Sequence, residues 1–177
     1  MNTIEESVEV EVPVATAYNQ WTQFETFPSF MGGVEKVTQL DEKRLHWVAK
    51  IAGKQEEWDA EIVEQIPDTR IAWRSTGGAP NSGVVSFESA GDNRTRVMLQ
   101  MEVEPKGLVE TVGSAIGLDS HQVKNDLDRF KTMIEQEGAA SGAWRGRVDG
   151  GETVSARLSR RECSKAPGLR STPRPPP

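Results

Sequence analysis

Cysteine and histidine are scarce in this 177-residue chain, which has one cysteine, Cys163, and two histidines, His46 and His121. A single cysteine cannot form an intramolecular disulfide, so the fold does not depend on oxidation. The two histidines lie far apart in the sequence and the cysteine lies near the C-terminal end, so the spacing of a metal-binding motif is missing. We therefore predict no metal ion and no other cofactor.

Catalytic and nucleotide-binding motifs are missing as well. The sequence has no G-x-S-x-G element that would present a nucleophilic serine. The glycine pairs at 32–33 and 77–78 have neither the Walker spacing nor the dinucleotide-binding spacing. Motifs alone therefore identify no catalytic residue.

The sequence also lacks long apolar runs and an excess of positive charge. No apolar run approaches the roughly 18 residues needed to cross a membrane, and the first seven residues lack the basic start and apolar stretch of a secretory signal. We therefore expect a cytoplasmic protein without a transmembrane segment. The net charge of −6 argues against nucleic-acid binding, which requires a basic face.

The C-terminal segment differs in composition from the rest of the chain. Residues 145–177 contain more basic than acidic side chains, lose apolar periodicity and end in a proline-rich run. Such a segment cannot bury enough apolar surface to become ordered. We therefore predict one folded domain over residues 1–144 and a disordered basic tail over 145–177.

Apolar periodicity within the predicted domain indicates a strand, two short helices, six more strands and a long helix. Ile4, Val8 and Val10 alternate with acidic or polar residues, which is typical of a strand with one exposed face. Helical spacing follows in 14–21 and 23–31, and regularly spaced short strands then fill 34–103. After Pro105 the period changes to that of a helix. The result is an α+β protein with one antiparallel sheet.

Several local sequences resemble the polyketide cyclase/dehydrase family, a branch of the START-like (SRPBCC) superfamily that includes the coenzyme Q-binding proteins. The segment 21–31 reads W-T-Q-F-E-T-F-P-S-F-M, and further similarity lies in 71–74, 83–87 and 126–131. The resemblance covers about residues 2–140. It implies a helix-grip fold, in which a curved antiparallel sheet of about seven strands wraps around a long C-terminal helix, with two short helices after the first strand.

The resemblance also implies a cavity between the sheet and the long helix, which relatives use for sterols, lipids, quinones or polyketides. A large aromatic residue taken singly is more often a core anchor, but a sheet curled around one helix is hard to fill completely. We therefore predict that the following residues line the cavity: Trp21, Phe24, Phe27, Phe30, Met31, Trp47, Ile51, Trp58, Ile62, Trp73, Val85, Phe87, Leu99, Met101, Leu108, Val112, Leu127 and Phe130.

Few polar residues qualify for this cavity. Glu6 shares the apolar parity of the first strand and could be a buried acid, but a turn toward solvent at the strand end is the simpler interpretation. Tyr18 and Arg74 could each bind a ligand oxygen, whereas His46, Gln100 and His121 are expected to face solvent because they lie off the apolar stripes.

Two functions follow from these predictions. The first is a binding protein for a hydrophobic small molecule, such as a lipid, an isoprenoid quinone or a polyketide. The alternative is an enzyme, a polyketide cyclase or dehydratase, that uses polar residues of the cavity as acid or base. A pair of titratable residues inside the cavity would favour the enzyme, whereas an apolar lining would favour binding. The sequence does not determine the oligomeric state.

Overall fold

The computed structural model describes residues 2–51, 53–78, 80–103, 120–150 and 152–153. Its secondary structure elements are β1 (Asn2–Val10), α1 (Val14–Trp21), a 3-10 helix (Phe24–Ser29), β2 (Val34–Gln39), β3 (Arg44–Ile51), β4 (Lys54–Ile66), β5 (Arg70–Gly78), β6 (Asn81–Gly91), β7 (Arg94–Val103), α2 (Ser120–Glu137), β8 (Val148–Asp149) and β9 (Glu152–Thr153).

The seven long strands form one curled antiparallel sheet in the order β1-β7-β6-β5-β4-β3-β2. Strands β2 to β7 are a meander, in which each strand pairs with its neighbour in sequence. β1 instead pairs with β7, which places Ile4 opposite Met101, a residue distant in the sequence. This architecture confirms the predicted helix-grip fold.

The core lies between the concave face of the sheet and the two helices. One stripe of α2, formed by Val123, Leu127, Phe130 and Ile134, is buried, as the helical spacing of these residues predicts. The alternate residues of the strands, such as Ile71 and Val85, meet this stripe from the sheet. The long helix therefore covers the sheet along its apolar face.

Strand β4 departs from simple alternation. Its pairing with β5 shifts register between Asp59 and Ala60 and again between Ile62 and Glu64. Because a bulge reverses the faces of the residues that follow it, Gln65 is buried and Ile66 is half-exposed. The sequence pattern predicts the opposite orientation for these two residues.

The C-terminal end of the described chain corrects the predicted domain boundary. Val148 is fully buried and pairs with Gln65 of β4, and Arg145 forms hydrogen bonds of 2.6 and 2.7 Å to the carboxylate of Asp68. The boundary at 144 is therefore wrong, because the fold continues to at least Asp149. A single apolar residue in a polar segment has no periodicity, so the pattern gave no signal. The predicted disorder of 154–177 lies outside the described residues.

Candidate ligand-binding cavity

A cavity of about 110 Å³ lies between the concave face of the sheet, the 3-10 helix and α2. The strands place it there because every second residue of β3, β4, β5, β6 and β7 faces the helices. The predicted residues that line it are Trp21, Phe24, Phe27, Phe30, Met31, Trp47, Trp58, Ile62, Trp73, Val85, Leu99, Met101 and Leu127. The structure thus brings most of the predicted set together, although their role in ligand binding stays a prediction.

Two aromatic residues of the predicted set lie elsewhere. Phe130 packs against Trp21 and Phe30, at centroid distances of 5.4 and 5.2 Å, and is fully buried in the core. Phe87 packs edge-on against Tyr18 at 5.5 Å. Both face the core side of their elements, as predicted, but the neighbouring aromatic rings occupy the space beside them. Predicting them as cavity-lining residues was therefore wrong.

Three predicted lining positions cannot be compared. Leu108 and Val112 lie outside the described residues, and so does the side chain of Ile51. The sequence prediction also omitted several residues that do line the cavity: Gly33, Val34, Leu45, Ala49, Ile71, Asn81, Gln122, Val123 and Asp126. The apolar members of this group lie on the predicted buried faces, so alternation could have found them. Alternation does not indicate the polar lining residues Asn81, Gln122 and Asp126.

A pair of stacked tryptophans forms part of the cavity wall. Trp47 and Trp58 lie opposite each other on β3 and β4, with ring centroids 5.7 Å apart and planes inclined by 9°. Phe27 of the 3-10 helix contacts Trp47 at 5.6 Å and Trp21 at 5.1 Å. The ring of Phe27 thus links the wall to the aromatic core, and these contacts fix the orientation of Trp47.

The third wall tryptophan depends on a glycine. Trp73 of β5 donates a hydrogen bond from Nε1 to Asn81 Oδ1 at 3.3 Å. Its six-membered ring lies over Gly83 of β6, the residue paired with it in the sheet. A Cβ atom at position 83 would lie 2.5 Å from Trp73 Cζ2. The missing side chain therefore provides the space that holds this indole in the cavity wall.

Asp126 is the one titratable side chain among the described lining residues. Its Oδ1 accepts hydrogen bonds from the Gly32 amide at 3.1 Å and from Gln122 Nε2 at 2.9 Å. Burial raises the pKa of Asp126, and the two hydrogen bonds and the charge of Arg129 offset part of that rise. Asp126 therefore connects α2 to the turn after the 3-10 helix and places a carboxyl group at a mostly apolar surface.

Two buried donors of the lining have no acceptor among the residues that the structure describes. The indole nitrogens of Trp21 and Trp47 are fully buried and make no hydrogen bond within that part of the chain. Buried polar groups are nearly always paired, so an unpaired donor beside a cavity points to a partner supplied by a ligand or by water.

The remaining polar candidates lie away from the cavity. Gln100 and His121 are exposed, and His46 pairs with Asp59 at 2.7 Å on the outer face of the sheet. Arg74 is exposed as well and pairs with Glu61. Their positions agree with the orientation of the strands and helix that carry them.

Two buried or half-buried candidates also lie elsewhere. Glu6 is half-exposed in β1 and does not line the cavity. Tyr18 is buried under the guanidinium of Arg145, and burial raises its pKa to about 12, so its hydroxyl stays protonated.

Metal binding and membrane spanning receive no support from the described residues. Within that part of the chain, His, Cys, Asp and Glu form no group of three that could hold a metal ion. None of the helices in that part of the chain is long and apolar enough to cross a bilayer.

Comparison with known proteins agrees with this geometry. The sequence model of the family described as polyketide cyclase/dehydrase and lipid transport matches residues 10–132. A relative from Streptomyces lincolnensis, described as an uncharacterized 17.2 kDa protein of the melC2-rnhH intergenic region, is 53% identical over 149 residues. That alignment covers 84% of this chain and 99% of the relative.

Solved structures share the architecture. DR_A0006 from Deinococcus radiodurans is 28% identical, with a TM-score of 0.64 over 77% of this chain and 99% of its own. The Zhui aromatase/cyclase from Streptomyces sp. R1128 is 17% identical, with a TM-score of 0.64 over 81% and 99% of the two chains. A START superfamily protein from Mycobacterium smegmatis is 15% identical, with a TM-score of 0.61 over 76% and 95%.

Proposed function

Because the chain belongs to the polyketide cyclase/dehydrase and lipid transport family, we propose that it binds one hydrophobic small molecule between the sheet and α2. The ligand class is a lipid, an isoprenoid quinone or a polyketide. The cytoplasmic location inferred from the sequence belongs to the same proposal.

The observation that carries this proposal is the apolar character of the cavity. Its described lining is mostly aromatic and aliphatic, with Asn81, Gln122 and Asp126 as the polar side chains besides the indole nitrogens. Transfer of apolar surface from water into such a site yields roughly 25 cal/mol per Å². Few polar groups then suffice to orient the ligand. A lining with one titratable residue favours binding over acid–base catalysis.

The size of the cavity limits what enters it without rearrangement. Its volume of about 110 Å³ is of the order that admits a single aromatic ring, whereas pockets for drug-sized ligands measure about 300–1,000 Å³. A lipid or polyketide therefore requires lining side chains to move. Met31 is suited to this because it is half-buried and its unbranched side chain changes rotamer easily.

Native mass spectrometry of freshly purified protein tests the proposal. We expect one copurified hydrophobic molecule per chain. Ala49→Phe should abolish this adduct because Ala49 lines the cavity and is almost fully buried. Val48→Phe is the matched control, since Val48 precedes it on β3 and faces the opposite side of the sheet. An adduct that survives Ala49→Phe, or a protein that binds no apolar compound in titrations, would contradict cavity binding.

A second candidate function, polyketide cyclisation or dehydration, draws support from Asp126. Burial raises the pKa of this carboxyl group, which makes it better suited than an ordinary aspartate to hold and donate a proton. The Zhui protein is itself described as an aromatase/cyclase. Incubation with a synthetic poly-β-ketone thioester, followed by mass spectrometry, tests this candidate. Turnover by the wild type that Asp126→Asn abolishes without loss of probe binding would support it, whereas equal products with and without protein would exclude it for that substrate.

A further inference from the structure

We propose that Trp47 determines specificity in this cavity: its indole N–H donates a hydrogen bond to a neutral carbonyl oxygen of the ligand. This inference rests on the proposed function and narrows it. A ketone, quinone or ester would satisfy the site, whereas a pure hydrocarbon or a free fatty acid would not.

The indole N–H of Trp47 is a buried donor that lacks an acceptor among the described residues. Trp47 itself lines the cavity. Trp73, which lines the same cavity, already donates to Asn81. A buried donor without an acceptor loses its interaction with water and gains nothing in return. A ligand oxygen placed against Trp47 removes this cost, so the site discriminates between ligands that carry such an oxygen and those that do not.

Aromatic contacts hold this donor in place. Trp47 stacks on Trp58 with nearly parallel planes and contacts Phe27 on another element. The direction of its N–H is therefore fixed before a ligand enters, and little conformational entropy is lost on binding.

Trp21 also has an unpaired indole nitrogen but is a weaker candidate. It is 2% exposed and four aromatic rings surround it, those of Phe27, Phe30, Phe87 and Phe130. Trp47 keeps a larger part of its surface uncovered. Trp47 is therefore the more accessible of the two residues, and because its Nε1 is itself buried, a ligand oxygen reaches this donor once neighbouring lining side chains move.

The charge of the lining disfavours anionic ligands. The described lining contains no lysine or arginine, and its one ionisable side chain is the carboxyl of Asp126. A carboxylate ligand would lose its hydration without meeting a cation. A neutral carbonyl needs one donor and brings no charge. The lining therefore favours neutral acceptors over fatty-acid anions.

Three single-ring compounds of similar shape test this inference: acetophenone, α-methylstyrene and benzoate. In the wild type at pH 8, acetophenone should shift the ¹⁵N-indole resonance of Trp47 downfield, and benzoate should bind at least about tenfold more weakly than acetophenone. Trp47→Phe keeps an aromatic ring but removes the donor. This substitution should weaken the binding of acetophenone by about five- to tenfold. It should change the affinity for α-methylstyrene by less than about twofold.

Trp73→Phe is the matched control, because it removes a donor that already has a protein acceptor. It should change the affinities for the two neutral compounds by equal factors. The resonance shift is measured on the unmodified protein, so the test does not depend on the folding of a variant.

The possible outcomes separate the two proposals. If both neutral compounds bind but Trp47→Phe affects them equally, or the Trp47 resonance does not respond to acetophenone, the donor role is wrong and cavity binding stands. If benzoate binds as tightly as acetophenone, the preference for a neutral carbonyl is wrong, so the inference fails while cavity binding stands. If neither neutral compound binds, the proposed function fails and the inference fails with it.

Discussion

At the scale of single residues, the position of Trp73 depends on the absence of a side chain at Gly83. A Cβ atom there would approach both the indole and the main-chain oxygen of Gln100, at 2.5 and 2.8 Å. We expect Gly83→Ala to reduce the free energy of unfolding by about 1–3 kcal/mol, as overpacking does. Urea denaturation measures this change. Gly77→Ala in β5 is the control, because its added Cβ would meet only Asp59, at 3.8 Å.

A result of equal stability for both glycine variants would show that Trp73 moves without cost. The indole would then be a mobile part of the wall rather than a fixed one. Trp fluorescence of the Gly83→Ala protein would detect such movement independently of stability.

Asp126 should make stability depend on pH. Its pKa is raised in the folded protein, so the native state holds the proton more tightly than the unfolded chain does. Stability therefore falls as the pH rises from the ordinary range of aspartate through the raised pKa. Asp126→Asn cannot ionise and keeps an oxygen acceptor for Gly32. We expect its stability relative to wild type to increase across that pH interval and then to become constant.

Denaturation at a series of pH values measures this effect. Asp128→Asn, an exposed position of the same helix, is the control and should leave the pH profile of the wild type unchanged. A constant difference between the Asp126→Asn protein and wild type at all pH values would contradict the raised pKa.

The sequence predicts the positions of some cavity residues and not of others. Alternation and helical spacing predict that Trp47, Trp58 and Trp73 face the sheet interior, because side-chain direction follows from local backbone period. The same logic cannot distinguish a wall from a filled core. Phe130 lies on the predicted buried face of α2, but it packs against Trp21 in the core instead of lining the cavity. Asp126 was missed because its burial depends on Gly32, which is distant in sequence.

At the scale of elements, the segment 138–149 is an integral part of the fold. Ser141 and Gln20 exchange two hydrogen bonds, and the Trp144 amide donates to Thr22 Oγ1. Val148 is then buried against β4. These contacts hold the segment 138–149 against α1 and β4. They are long-range and involve isolated residues, so no local pattern in the sequence indicates them.

This arrangement predicts different effects for two truncations. Removal of all residues after Trp144 takes away the Arg145–Asp68 ion pair and the burial of Val148. Complete burial of a valine is worth about 1.5–3 kcal/mol, so we expect a loss of about 2 kcal/mol or more. Removal of residues after Thr153 should change stability by less than about 0.5 kcal/mol. Thermal melts of the two truncated proteins measure this difference. Equal melting temperatures would show that residues 145–153 do not contribute to stability, in agreement with a domain boundary at 144.

At the scale of the whole molecule, the order of β1 to β7, the two short helices and α2 was predictable because most of these elements have a clear period. The pairing of β1 with β7 at one edge of the sheet was not given by period at all. It was expected only through the family resemblance. The volume of the cavity was likewise beyond sequence reasoning, since it depends on how the side chains of α2, the 3-10 helix and five strands fit together.

Because the cavity lies among sheet and helix residues of one core, occupancy should stabilise the entire domain. A ligand that binds only the folded state adds RT ln(1 + [L]/Kd), which is about 2.7 kcal/mol when its concentration is 100 times Kd. We expect acetophenone to raise the urea midpoint equally when unfolding is followed by Trp fluorescence and by far-UV circular dichroism. A shift in fluorescence alone would mean that the cavity unfolds separately from the sheet. If the urea midpoint does not change although the NMR response saturates, the compound binds the folded and unfolded chain equally well, and its site is not the cavity.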